Sequence, residues 1–184
     1  MDVTNRNMSR IYAIILSWGA AVIALDQWTK QLALETFAQE GDSRPFVNGW
    51  QFTLVHNHGA AFGMFRGLPD SIRTLFFVLL PVSILALLWW FYIRKFDPRE
   101  RLGPCAMGLV FGGAIGNLID RIRHGYVIDF IDWFYSSKGE CLPQFHKFTA
   151  DTCHWPVFNV ADTAISIAMA LLILHSFRKE KAEG

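Results

Sequence analysis

Two aspartates in this chain sit where a carboxylate is both costly and useful. Asp129, in Val127-Ile128-Asp129-Phe130, follows one long apolar stretch, and Asp162, in Phe158-Asn159-Val160-Ala161-Asp162-Thr163-Ala164-Ile165, opens another. A charge at membrane depth costs roughly 2.5–3.5 kcal/mol on insertion scales, so it marks a functional site by default. Neither aspartate has a basic residue three or four positions away. Desolvation favours the protonated form of such an unpaired, buried carboxyl, and two of them close together share one proton. That pair can hydrolyse a peptide bond. The ionised member takes a proton from water while the neutral one donates to the scissile carbonyl oxygen. No serine or cysteine nucleophile is needed, and none is well placed. Asp132 and Asp120 lie close enough in sequence to replace Asp129, so spacing alone leaves the partner of Asp162 open.

Other polar residues fall in the same layer. Asp26 and Lys30 close the first apolar stretch at i,i+4 with the acid N-terminal, the favourable order for a helical ion pair. Asn117, Asp120 and Arg121 share a helix face, as do Asn159 and Asp162. For Asp26–Lys30 and Asp120–Arg121 the commoner role is structural, since each acid has a counter-charge at hand. His56 and His58 lack a third matched ligand and read as polar surface, so neither a metal nor a cofactor is expected. Gly108, Gly112 and Gly116 form a small-xxx-small series that suits close helix packing, or the approach of a substrate helix.

The elements that must hold these groups are membrane elements. Of 184 residues, 52% are hydrophobic and only 18% charged, and the mean hydropathy is +0.25. That balance indicates a membrane protein. A net charge of +1 without a basic block sets nucleic acid aside. Spans are expected over 11–34, 71–93, 102–122 and 157–177, each near the ~20 residues an apolar core requires. The first could imitate a signal-peptide core, but Asp26 and Lys30 interrupt it and three more spans follow, so it reads as a retained helix. Trp89-Trp90-Phe91-Tyr92 forms an aromatic belt, and Pro81 is expected to kink the second span. Arg6, Arg10, Arg94, Lys95, Arg99, Arg101, Arg178, Lys179 and Lys181 cluster in three segments that should face the cytoplasm. Both termini are then inside, and loops 35–70 and 123–156 face outward. Asn48-Gly49, between apolar and β-branched runs, signals a hairpin. Residues 136–155 show no period and read as an irregular excursion. Cys141 and Cys153 share that loop, which permits a disulfide if it is extracytoplasmic. The expected fold is a membrane all-α bundle of four transmembrane helices with a small extracytoplasmic β cradle, one integral domain over residues 1–184.

Five ordered blocks carry a resemblance. Asp26-Gln27-Trp28-Thr29-Lys30, Asn57-His58-Gly59-Ala60-Ala61-Phe62-Gly63, Gly112-Gly113-Ala114-Ile115-Gly116-Asn117-Leu118-Ile119-Asp120-Arg121, Val127-Ile128-Asp129-Phe130 and Phe158-Asn159-Val160-Ala161-Asp162 resemble the signature blocks of bacterial lipoprotein signal peptidase, signal peptidase II. The resemblance implies an intramembrane aspartic endopeptidase of the bacterial inner membrane, with its active site near the periplasmic face. Such enzymes cut a prolipoprotein just before a cysteine that already carries diacylglycerol. Asp129 and Asp162 would be catalytic. Asn57, Gly59, Asn117, Arg121 and Asn159 would bind or orient the substrate and the acids, and Asp26, Lys30 and Asp120 would support them. The resemblance also implies lipidated prolipoprotein substrates, contact with membrane lipid, and sensitivity to globomycin-type inhibitors. Residues 135–156 look longer than the family's usual connection, which leaves the shape of the entrance open. Trp50 and Trp133 would hold the cradle at the headgroup boundary.

Two other functions compete. A proton-coupled transporter also uses intramembrane acids, but it needs polar groups continuing inward, and residues 102–115 are almost wholly apolar or glycine. A non-catalytic assembly subunit would use the glycine face for partners, and changing either aspartate to asparagine would then alter assembly rather than turnover.

Overall fold

The computed structural model describes residues 3–59, 70–94, 101–136, 141–142, 145–149 and 151–183. Among them four helices and five strands follow one another as α1 (Val3–Thr36), β1 (Ser43–Val47), β2 (Trp50–Asn57), α2 (Asp70–Arg94), α3 (Leu102–His124), β3 (Val127–Ser136), β4 (His146–Thr149), β5 (Thr152–His154) and α4 (Val160–Glu183). Among the described residues two helical stretches, Met8–Thr36 and Leu102–His124, are long and apolar enough to cross a membrane, while Leu75–Trp90 and Val160–Ile173 are shorter apolar helices. The basic turn containing Lys95 and Arg99, and Ala60 to Gly63 of the second block, lie outside the described residues.

α3 is the central helix, packed on α1 and α4 and more lightly on α2. Its glycines make that possible. A Cβ at Gly108 would stand 2.7 Å from the Trp18 Cβ, and one at Gly112 would stand 2.7 Å from the Val22 Cβ. Close helix packing is therefore what these two small residues allow, as the spacing suggested. Val22, Leu85, Leu109, Val110, Ala164 and Ala168 form the core between the helices. Pro81 lies inside α2, which continues through it.

The antiparallel sheet has the order β1-β2-β3-β5-β4. Gly49, at φ 82°, makes the turn between β1 and β2, as Asn48-Gly49 predicts. β2 pairs with β3 from Trp50 opposite Trp133 to Asn57 opposite Val127, with a register shift between Phe52 and Val55. One correction concerns 136–155. Its described residues are not all irregular: β5 pairs with β3 and β4 pairs with β5, and a disulfide joins Cys141 to Cys153. Strands of three and four residues are too short to show a period, and β4 pairs only with its neighbour β5, which finds its second partner in β3.

β3 is regular, so its side chains alternate between faces. Ile128 and Phe130 join Leu54, Ala33 and Phe37 in a core that seats the sheet on the end of α1. Asp129 and Trp133 point to the opposite face.

Candidate active site

α4 opens with a reciprocal cap. Asn159 Oδ1 accepts from the Asp162 N–H at 3.0 Å, and Asp162 Oδ2 accepts from the Asn159 N–H at 3.3 Å. This is a capping box with asparagine and aspartate in its two roles. The Ala161 N–H, another donor that a helix start leaves without an internal partner, donates to Asp26 Oδ1 at 3.0 Å. α1 and α4 are thus tied where Asp162 emerges. The cap also explains why α4 begins at Val160 rather than 157: Phe158 still pairs with Ile131 of β3.

Asp129 arrives from the other side. Gly125, at φ 79°, ends α3 with its N–H on the Arg121 carbonyl, and β3 starts two residues later. Asp129 is 1% exposed. Its Oδ2 accepts from Asn57 Nδ2 at 2.8 Å and its Oδ1 from Asn159 Nδ2 at 2.7 Å. Asn159 therefore holds both acids, Asp129 with its side-chain amide and Asp162 with its backbone N–H. Gly59, at φ +77°, donates its N–H to Asn57 Oδ1 at 2.9 Å, which leaves the Asn57 amide nitrogen aimed at Asp129.

Behind the acids lies a buried polar layer. Lys30 Nζ sits 2.9 Å from Asp26 Oδ2, 2.7 Å from Asp120 Oδ2 and 2.9 Å from Asn117 Oδ1. With its oxygen held by Lys30, Asn117 turns its Nδ2 to Asp162 Oδ1 at 2.8 Å. Asp120 also accepts the Ile128 N–H at 3.1 Å, fixing the strand residue next to Asp129. A Cβ on Gly116 would come within 2.5 Å of Asp26 Oδ2, so this third glycine makes room for a carboxylate rather than for a helix.

Charge sets the acids apart. Burial, and then the neighbouring charge of Asp162, push the Asp129 carboxyl from the usual 3.8 up to about 7. The hydrogen bonds from Asn57 and Asn159, and the charge of Lys30, oppose that rise. Arg121 lies within electrostatic reach of Asp162, Asp129 and Asp120, with its Cζ 5.7 Å from the centre of the Phe77 ring.

All ten residues singled out from the sequence lie in or directly beside this layer. The structure separates the rival acids. Asp132 belongs to the other face of β3, where its carboxylate accepts from Gln51 at 2.7 Å and Thr53 at 2.8 Å and meets His154 Nδ1 at 2.8 Å. Asp120 is occupied by Lys30, the Ile128 N–H and Gln27. His56 and His58 pack on Tyr126, with ring centroids 4.1 and 5.3 Å away. Gln27 escaped the sequence reading. Its Nε2 reaches Asp120 Oδ1 at 2.9 Å and the Gly116 carbonyl at 3.2 Å, and its place between Asp26 and Lys30 was the available signal. Nothing in the sequence pointed to the His154–Asp132 contact, because it joins two strands paired only in the fold.

Comparison with known proteins fits this geometry. Residues 19–178 match the family model described as signal peptidase (SPase) II. A lipoprotein signal peptidase of Alteromonas mediterranea is 38% identical over 162 residues, covering 86% of this chain and 78% of the relative. One from Geobacillus thermodenitrificans is 40% identical over 159 residues, covering 86% of each. A solved bacterial membrane enzyme superposes with a TM-score of 0.71 at 29% identity, over 92% of this chain and 91% of that one.

Proposed function

The chain belongs to the signal peptidase II family, and from that membership we propose that Asp129 and Asp162 are the catalytic pair of an aspartic peptidase of the bacterial membrane. The protein removes signal peptides from lipoproteins. One observation carries the assignment of the acids: Asn159 bonds to both of them, through its side chain and its backbone.

In this reading Asp129 carries the shared proton, as its burial and raised pKa favour, and Asp162 is the carboxylate. Water enters between them. Asp162 takes a proton from the water as its oxygen attacks the scissile carbonyl carbon, and Asp129 gives its proton to the carbonyl oxygen. The tetrahedral diol then collapses. Its C–N bond breaks, the leaving nitrogen takes the proton held by Asp162, and a diol hydroxyl returns a proton to Asp129. Asn57, Asn117 and Asn159 keep the carboxyls oriented through both steps. Arg121 holds substrate carbonyls. Lys30, Asp26 and Asp120 fix the frame.

All four helices span the inner membrane as a single domain, with both termini cytoplasmic and the sheet as a cradle on the periplasmic side. The basic residues flanking the spans support that orientation. A lipid-anchored substrate presents its bond near the outer headgroup boundary, so acids at helix ends meet both lipid and water. The cut falls before the diacylglyceryl cysteine, and a globomycin-type peptide competes for the same cleft. The test is incubation of purified protein with a diacylglyceryl-modified precursor. Asp129→Asn and Asp162→Asn should each abolish cleavage while the protein stays folded. Near-normal turnover by either variant removes that residue from the pair.

A further inference from the structure

The face of β3 that carries Asp129 does not end there. Four residues on, Trp133 points the same way, and so does Tyr135 after it. Trp50 lies directly across the β2–β3 ladder from Trp133, with their rings stacked at 6.0 Å. Trp155 stands on the other flank, its N–H on the Trp133 carbonyl at 2.8 Å and its ring 6.3 Å away. The three indoles form one row across the sheet. Each is still more than a third exposed: Trp50 38%, Trp133 39% and Trp155 37%. Phe145 wedges against Trp133 at 5.1 Å, Trp155 at 5.6 Å and Tyr135 at 4.9 Å, and is itself only 7% exposed. The Cys141–Cys153 disulfide ties down the segment that delivers it. On the opposite face of the same strands Ile128 and Phe130 enter the core, and Gln51 and His154 both bond to Asp132. An open aromatic row on a braced support is a binding surface prepared in advance, at little ordering cost.

Position selects the occupant. The first half of β3 packs on the end of α1, whereas Trp133 and Tyr135 in its second half pack on Phe145, and Trp133 also on Trp155. If a signal peptide lies among the helices, the chain beyond the cleaved bond can follow β3 toward the sheet. At ~3.3 Å per residue, Trp133 lies roughly 13 Å along the strand from Asp129, which an extended substrate covers in about four residues. Resting on the reading that Asp129 is catalytic, we infer that Trp50, Trp133 and Trp155 form a subsite for the extended segment of the lipoprotein that follows the cleaved bond. The subsite takes apolar and aromatic side chains and favours precursors long enough to reach it.

The test uses two diacylglyceryl-modified precursors with one signal peptide. One stops about two residues after the modified cysteine, and the other continues for about ten uncharged residues, enough to pass Trp133 at the strand rise. In wild type the longer precursor should show a KM roughly 3- to 10-fold lower, the range that one or two aromatic contacts supply. Trp50→Ala and Trp155→Ala should bring the KM ratio of the two precursors close to one, and Trp155→Phe should keep most of it. An unlipidated peptide with the sequence of the ten-residue segment should compete with the longer precursor. Absence of a length effect in wild type, or an undiminished one in both alanine variants, overturns the subsite. An equal KM rise for both precursors also overturns it and assigns the tryptophans to the lipid headgroups instead. Failure of wild type to cleave either precursor would count against the catalytic assignment itself.

Discussion

Replacing Asp129 by asparagine should destroy activity and yet, above neutral pH, make the protein harder to unfold. Asp129 has its carboxyl raised from 3.8 to about 7 by burial and the charge of Asp162. A carboxyl whose folded pKa lies above its unfolded value stabilises the fold only while protonated. That contribution is complete below about pH 4 and is lost as the pH rises through about 7. At ~1.4 kcal/mol per tenfold change in proton affinity, ionising Asp129 in place costs roughly 4 kcal/mol. Asparagine cannot ionise, so the variant escapes that cost. It incurs another, because one oxygen that accepted from Asn57 or Asn159 becomes an NH2 facing a donor, at about 1–3 kcal/mol. The sum changes sign with pH. Near pH 8 the variant should be the more stable by about 1–3 kcal/mol, and near pH 4 the less stable by a similar amount. Thermal unfolding of the purified protein at both pH values measures this, beside a cleavage assay expected to fall by about 10²–10⁴-fold. A melting difference that does not reverse sign, or a variant that still cleaves, refutes the reasoning.

The same carboxyl sets the alkaline limb of activity: cleavage should fall about tenfold per pH unit above about 7, and a rate flat to pH 9 would exclude Asp129 as the proton donor. Lys30→Met leaves Asp26 and Asp120 buried without their cation and should cost about 3–5 kcal/mol, seen as a lower melting temperature; an unchanged one would show that the ion pairs contribute little. Gly116→Ala puts a methyl 2.5 Å from Asp26 Oδ2 and should break its bond to the Ala161 N–H, lowering stability by about 1–3 kcal/mol. A gain in stability, as alanine usually gives in a helix interior, would mean that Asp26 has room to move. Reduction of the purified protein should add a pair of hydrogens to its mass through Cys141 and Cys153, and free thiols before reduction would contradict the disulfide.

Local rules made much of the site readable. The i,i+4 geometry of a helix puts Asp26 against Lys30, and the structure has that pair at 2.9 Å. Asn159 and Asp162, three apart at a helix start, form the box their spacing allows. The Asn48-Gly49 turn needs a positive φ at glycine and has it. Each of these depends on residues within a few positions of one another.

What chain order alone left open was which acid faces Asp162, because Asp120, Asp129 and Asp132 all lie within twelve positions. That choice belongs to pairing between remote segments. The β2–β3 register turns Asp132 to the face of Thr53 and His154 and turns Asp129 to that of Asn57, while Lys30 crosses from α1 to claim Asp120. The tryptophan row has the same origin, since its members come from β2, β3 and the residue after β5, which meet only when the sheet assembles. Sequence determined the chemistry available and the elements carrying it, through periodicities that span a turn of helix or a step of strand. Tertiary structure decided which of those groups share a face, because hydrogen-bond register between distant strands and the packing of α1 on α3 are set by whole surfaces, not by neighbouring residues.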